Sequence, residues 1–300
     1  MSQKIYLITG ATGTTGASLV EKLAAADSHN EIRAATRNPS SPKSQRLRQF
    51  GDNIRLVSSN WDDVSSIQDA FRGVTHLYAL PPFVPPEMVQ WHRNLMEIAA
   101  KYADLEFVVK HSVIGARLPQ PDDTPSGIPL IHGYGEQAIK ESGVPYASLR
   151  PTIFAQHFTT NQAIIAPGDN QFFLPIGSAK VAFLDARDIG TIAVHLLTLD
   201  DPSKHNGAAY TLTGPEGITI EQMQAVLSQK TGRQIRWVDV SDEMFMDRLK
   251  KAGRSTAVIN VYKEAREGWF AEPTADFENV VGVPATSYEQ FVADHVDYFK

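Results

Sequence analysis

The sequence of 300 residues contains no cysteine, which excludes disulfides, thiolate nucleophiles and cysteine-bound metal. Positive charge is also in deficit. With 28 Lys and Arg against 34 Asp and Glu, the formal net charge is -6, and a chain of this sign is not expected to bind nucleic acid or an anionic membrane surface. No apolar run approaches the roughly 20 residues that cross a bilayer. The opening "MSQKIYLITG" has no basic stretch leading into an apolar segment and a small-residue cleavage site, so cytoplasmic residence is the expectation. The nine histidines show no His-x-x-x-His spacing, and no metal site is expected. What remains, 42% hydrophobic and 21% charged residues, is the composition of a globular protein with a sizeable core.

The apolar residues come in a repeating order. "KIYLIT" (4–9) is a short apolar run of the kind shown by a strand buried on both faces, and "TGASLVEKLAAA" follows with helical periodicity through Leu19, Val20 and Leu23. Strands are then expected at 31–37, 53–59, 75–80, 105–112 and 146–151. Helices are expected over "VSSIQDAFRG", from Glu87 to Tyr102, and over "HGYGEQAIKESG". Strands alternating with helices imply a doubly wound parallel sheet of the Rossmann type, with helices on both faces. Beyond Pro151 the strands are looser, and helices are expected around 188–199, 219–231 and 241–253. The expected division is a nucleotide-binding domain over 1–155 and a smaller α+β substrate region over 156–300. No linker or fixed-period repeat separates them.

Between the first strand and the first helix stands Gly10-Ala11-Thr12-Gly13-Thr14-Thr15-Gly16. In such a turn Gly10 permits the tight bend, Gly13 lets backbone approach a diphosphate, and Gly16 lets helix and strand pack closely. The helix start supplies free N–H groups and a positive dipole end. A dinucleotide is therefore expected here. An NAD site normally ends its second strand on an acid that holds the ribose hydroxyls, but this strand ends on Thr36 and Arg37. From 31 to 55 there are six basic residues (Arg33, Arg37, Lys43, Arg46, Arg48, Arg55) and two acids (Glu31, Asp52). A guanidinium pairs with a 2′-phosphate that a carboxylate would repel, so NADP(H) is the expected cofactor and Arg37 its reader. Asn60 and Trp61 after the third strand, Leu80, Pro81 and Pro82 after the fourth, and Ser112 after the fifth complete the expected cofactor contacts.

These stretches, together with "FVVKHSVIGA", "HGYGEQAIKESGVPYASLRPTIFAQHF", "AFLDARDIGTIAVHLLT" and "YTLTGPEGITIEQM", resemble the NmrA-like group of atypical short-chain dehydrogenases/reductases over nearly the whole chain. The resemblance implies NADPH-dependent reduction of a quinone, triphenylmethane dye or alkaloid imine. It also admits a redox-sensing transcriptional co-regulator without turnover.

Ordinary short-chain dehydrogenases carry Tyr-x-x-x-Lys on one helix face, where the lysine lowers the tyrosine pKa. Here Tyr134 is followed by Ala138, and the nearest lysine is Lys140, six residues on and off that face. The missing dyad disfavours alcohol oxidation and an NAD-holding isomerase. Ser112 is expected to donate a hydrogen bond to substrate or to the nicotinamide ribose. His132, read as the start of its helix, is a candidate general acid, and Tyr134 a third candidate catalytic group. A histidine at a helix start has a bland alternative, a bond to backbone. His157 stands where the family commonly has Asn. The resemblance brings Phe83, Tyr134, Phe154, His157, Phe158 and Trp269 toward the nicotinamide, a pocket suited to a flat, weakly charged small molecule. Asp185 and Asp188 are read as helix caps rather than a catalytic pair. A monomer or homodimer is expected.

Overall fold

A computed structural model describes residues 3–60, 63–80, 82, 87–124, 127–161 and 164–300. Trp61, Pro81 and Phe83 lie outside the described residues.

The six expected strands form as β1 (Ile5–Ile8), β2 (Glu31–Thr36), β3 (Ile54–Ser58), β4 (His76–Ala79), β5 (Phe107–His111) and β6 (Tyr146–Pro151). Three short strands follow, β7 (Gln171–Phe173), β8 (Ala208–Leu212) and β9 (Arg236–Val238). Seven strands make one sheet in the order β3-β2-β1-β4-β5-β6-β8, and β7 pairs with β9 apart from it. All the pairings from β3 through to β6 are parallel. The order reverses between β1 and β4, and a reversal of this kind opens a crevice at the carboxyl ends of the strands.

The apolar runs become central strands because both faces are covered. Leu7, Leu77, Ala79 and Val108 lie in one core with Phe71, Leu95, Met96 and Ile139. These come from the sheet and from the helices Val64–Phe71, Glu87–Tyr102 and Ile128–Glu141. The helix Thr14–Ala26 buries Leu19, Val20, Leu23 and Ala24, the one-sided spacing of an amphipathic helix. Capping explains several boundaries. Ser41 accepts from Ser44 N–H, Asp63 from Ser65 N–H, and Thr219 forms a reciprocal box with Gln222.

The chain divides into two compact units, Met1–Pro151 with Ile189–Thr211, and Thr152–Asp188 with Leu212–Lys300. The second contains the β7–β9 pair. Its core is aromatic, with the Phe158 ring 5.9 Å from Phe172, 5.6 Å from Phe183 and 5.4 Å from Tyr288.

Candidate active site

The glycine turn follows β1 and is tied to both neighbouring strands. Thr9 N–H donates to the Tyr78 carbonyl at 3.1 Å, and Ala11 N–H to the Ala35 carbonyl at 3.3 Å. Thr9 Oγ1 also receives Leu80 N–H at 2.7 Å, joining the carboxyl ends of β1 and β4. Each glycine has its own reason. Gly10 lies at φ +67°, where a side chain is strained. A Cβ at Gly16 would stand 2.3 Å from the Gly10 carbonyl oxygen and 2.9 Å from Ala11 Cα, so only glycine lets the helix start this close to the strand. Among the described residues a Cβ at Gly13 would meet only the Gly10 oxygen, at 3.1 Å, which leaves room for a ligand to approach.

Gly13 is also the N-cap of the helix Thr14–Ala26, which has no side-chain cap and no acid in its first turn. The leading N–H groups are thus left to a ligand, and the helix dipole favours an anion there. This turn fits a dinucleotide diphosphate on geometry alone.

Beside it, Arg37 follows β2 and is exposed. Among the described residues it makes no ion pair. Arg33 is buried, donating to Glu31 at 2.9 Å and to the Ala70 and Arg72 carbonyls, and Arg55 shares Glu31 at 3.6 Å. Two of the six basic residues are therefore structural. Arg37 remains the one at the strand tip, and Lys43, Arg46 and Arg48 are exposed on the segment that follows. Asn60 begins just past β3, its N–H bonded to Ser66 Oγ. Leu80 packs over Gly10. Pro82 is half-buried.

The carboxyl end of β5 carries a polar cluster that motif reading missed. Lys110 and Ser112 point into the layer that holds Glu136 and His132, while His111 points to the opposite face of the sheet. Ser112, 1% exposed, donates its hydroxyl proton to Glu136 Oε1 at 2.5 Å. Glu136 is clasped by Arg150, Nε to Oε1 at 3.0 Å and Nη2 to Oε2 at 2.5 Å. Lys110 is completely buried. It donates to the His111 carbonyl and stands 3.4 Å from His132 Nδ1. Burial pushes the Lys110 amine down to about 7, against the opposing pull of Glu136. On the other face the Tyr78 hydroxyl lies 2.6 Å from His111 Nδ1. Burial raises the Tyr78 phenol and lowers His111 to about 3.

Several of the expected site residues are engaged in other contacts. His132 does not begin its helix, which runs Ile128–Glu141 with Pro at its first turn, so His132 sits a turn inside. Its imidazole is held well below the ordinary value, by burial first and then by Lys110, His111 and His92. The neutral imidazole is therefore the favoured form at pH 7. Ser112 was expected to donate toward a ligand, but its single proton is committed to Glu136. Tyr134 directs its hydroxyl to the Asp123 carbonyl at 2.7 Å and packs on Met88, Val89 and Ile131, which ties it into the structure. Phe158 is 0% exposed and belongs to the aromatic core of the second unit.

The other expected pocket residues also lie in the second unit. Phe154 is half-buried with its ring 6.3 Å from that of His157. His157 Nδ1 is buried without a described partner, and burial lowers that imidazole to about 4. Trp269 is 52% exposed. Asp185 caps the helix Ala186–Thr198 by accepting from Arg187 N–H at 2.8 Å. Asp188 instead accepts from Thr286 N–H and Oγ1 at 2.7 and 2.9 Å. Both aspartates are structural. No group of three or more potential metal ligands occurs among the described residues.

Residues 1–268 match the NmrA-like family. The chain belongs to that family. It is 28% identical over 300 residues to the NAD(P)H azoreductase of Xenophilus azovorans, covering 98% of this chain and 99% of that protein. The quinone oxidoreductase 2 of Escherichia coli is 26% identical over 290 residues, covering 95% and 96%. The crystal structure of the NADPH-dependent quinone oxidoreductase QOR2 from Escherichia coli complexed with NADPH superposes with a TM-score of 0.79 at 25% identity, covering 97% of this chain and 99% of that one. The Citrobacter sp. triphenylmethane reductase complexed with NADP(H) shares the fold at a TM-score of 0.80 and 19% identity, covering 97% and 99%.

Proposed function

We propose that the protein is an NADPH-dependent reductase that passes a hydride to a small, flat electrophile such as a quinone, enone, imine, iminium or dye. The observation that carries this reading is the uncapped helix start behind Gly10, Gly13 and Gly16, with Arg37 exposed at the neighbouring strand tip and in no ion pair among the described residues. The backbone turn would hold the diphosphate and Arg37 the 2′-phosphate. Bound NADPH supplies the hydride. The chain orients it and excludes water.

The protonation pattern supports the substrate class. His132 is neutral and buried, the Ser112 proton is taken by Glu136, and Tyr134 is turned to a carbonyl. None of these three candidate groups offers a ready acid. An iminium or cationic dye needs none, because hydride addition leaves it neutral, and a reduced quinone leaves as an oxyanion that water can protonate. Relatives named as an azoreductase and a quinone oxidoreductase agree with acceptors of this kind.

NADPH oxidation followed against a panel of quinones, cyclic imines, triphenylmethane dyes and azo dyes tests the reading. Turnover above roughly 1 per second with any of them is expected. Inertness toward all, together with unequal affinity for NADPH and NADP+, would favour a redox sensor, since only a ligand that binds two states differently shifts their balance.

A further inference from the structure

Glu136 is buried and ion-paired with the partly exposed Arg150. A carboxylate clasped by a guanidinium accepts hydrogen bonds and donates none. Its Oε1 takes one from Arg150 Nε and one from Ser112, and the nearby Lys110 amine is a further positive group beside it. Ser112 has a single proton. With that proton held by Glu136, the remaining capacity of Oγ is its lone pairs, so any further partner must bring the proton.

The place of Ser112 gives this polarity a consequence. It stands just past the carboxyl end of β5, and β4 alone separates β5 from β1 and its glycine turn. At about 4.8 Å between strands, Ser112 is roughly 10 Å from the turn on the side away from Arg37. A dinucleotide with its adenine half at the β2 tip runs its other half across β4 and β5. We propose that Glu136 is a positioning residue that fixes Ser112 as a hydrogen-bond acceptor, so that the nicotinamide half of the cofactor meets it with an N–H or O–H donor. This rests on the cofactor reading above.

The test compares the wild type, Glu136→Met, Ser112→Ala and the double variant for affinity toward NADPH and toward 2′,5′-ADP, which lacks the nicotinamide half. Removing Glu136 releases the hydroxyl proton to face the ligand's own donor. Glu136→Met and Ser112→Ala should each weaken NADPH by about 3- to 10-fold, the worth of one hydrogen bond, with 2′,5′-ADP unchanged. The double variant should be no weaker than Ser112→Ala. A Glu136→Met loss that persists in full without Ser112, or that extends equally to 2′,5′-ADP, overturns the proposal. Neutron diffraction on wild-type crystals supplies a readout that needs neither variant folding nor ligand. A deuteron on Ser112 Oγ aimed at Glu136 supports the proposal, and one aimed away from it refutes it. Should the wild type take up neither ligand, the cofactor reading fails and this proposal fails with it, whatever the deuteron shows.

Discussion

Two neighbouring glycines separate packing from binding. At Gly16 an added methyl would sit 2.3 Å from the Gly10 carbonyl oxygen and 2.9 Å from both Gly10 C and Ala11 Cα. These are backbone atoms that no rotamer change can move. Restoring ordinary contact distances requires about 1 Å of separation between helix and strand, and overpacking of this kind costs about 1–3 kcal/mol. At roughly 2–4 °C of Tm per kcal/mol, Gly16→Ala should melt about 3–10 °C below the wild type. At Gly13 φ is -74°, open to any residue, and the added methyl meets only one oxygen at 3.1 Å. Gly13→Ala should therefore cost no more than about 1 kcal/mol, chiefly through the poorer N-cap. Its methyl would occupy the space a diphosphate needs, so NADPH affinity should fall by about tenfold or more, the loss of one or two charge-assisted bonds. Urea titration and calorimetric NADPH binding on both variants decide it. Equal destabilisation by the two substitutions, or wild-type affinity in Gly13→Ala, would refute the assignment of one glycine to packing and the other to the ligand.

Three further outcomes are expected. Arg37→Asp should weaken NADPH by about 10- to 100-fold while leaving NADH nearly unchanged, and equal losses for both would move the 2′-phosphate elsewhere. His76, His111 and His157 are pushed down to about 4, 3 and 4, and His92 and His132 well below the ordinary value, in each case chiefly by burial. Below pH 6.5 the unfolded chain takes up protons that the native one refuses, so each histidine withdraws up to about 1.4 kcal/mol per pH unit as pH falls toward its native value. Cooperative acid unfolding between about pH 6 and 4, with uptake of several protons, is expected by circular dichroism and titration. A flat Tm down to pH 4 contradicts it. Phe158→Ala should cost about 3–5 kcal/mol in urea unfolding, and a near-neutral result would return that ring to the pocket.

The sheet was legible because a parallel strand covered on both faces has to be apolar, as the "IYLI" of β1 is, and the runs of β1, β3, β4 and β5 are each followed by a helix of eight residues or more. The short strands β7 and β9 were not, because three residues show no alternation and their pairing is settled by chains far apart in sequence. The helix carrying His132 begins four residues before the expected start because Pro129, in "GIPLIHGYG", is at home in a first helical turn. Glycine spacing marked the turn after β1, since backbone geometry limits Gly10 and Gly16 to one residue type. The Ser112, Glu136 and Arg150 cluster had no such signature, for its members lie 24 and 14 residues apart and meet only where the helix Ile128–Glu141 packs beside the ends of β5 and β6. One signal was there to be read: Lys110 interrupts the apolar "FVVKHS", and a lysine inside a buried strand must be answered by acceptors nearby.

The Tyr78 hydroxyl, 2.6 Å from His111 Nδ1, cross-ties the fourth strand to the tip of the fifth from within the buried sheet. Strand ends tied in this way cannot splay independently, so the edge beside Ser112 is one stiff lip rather than two loose ones.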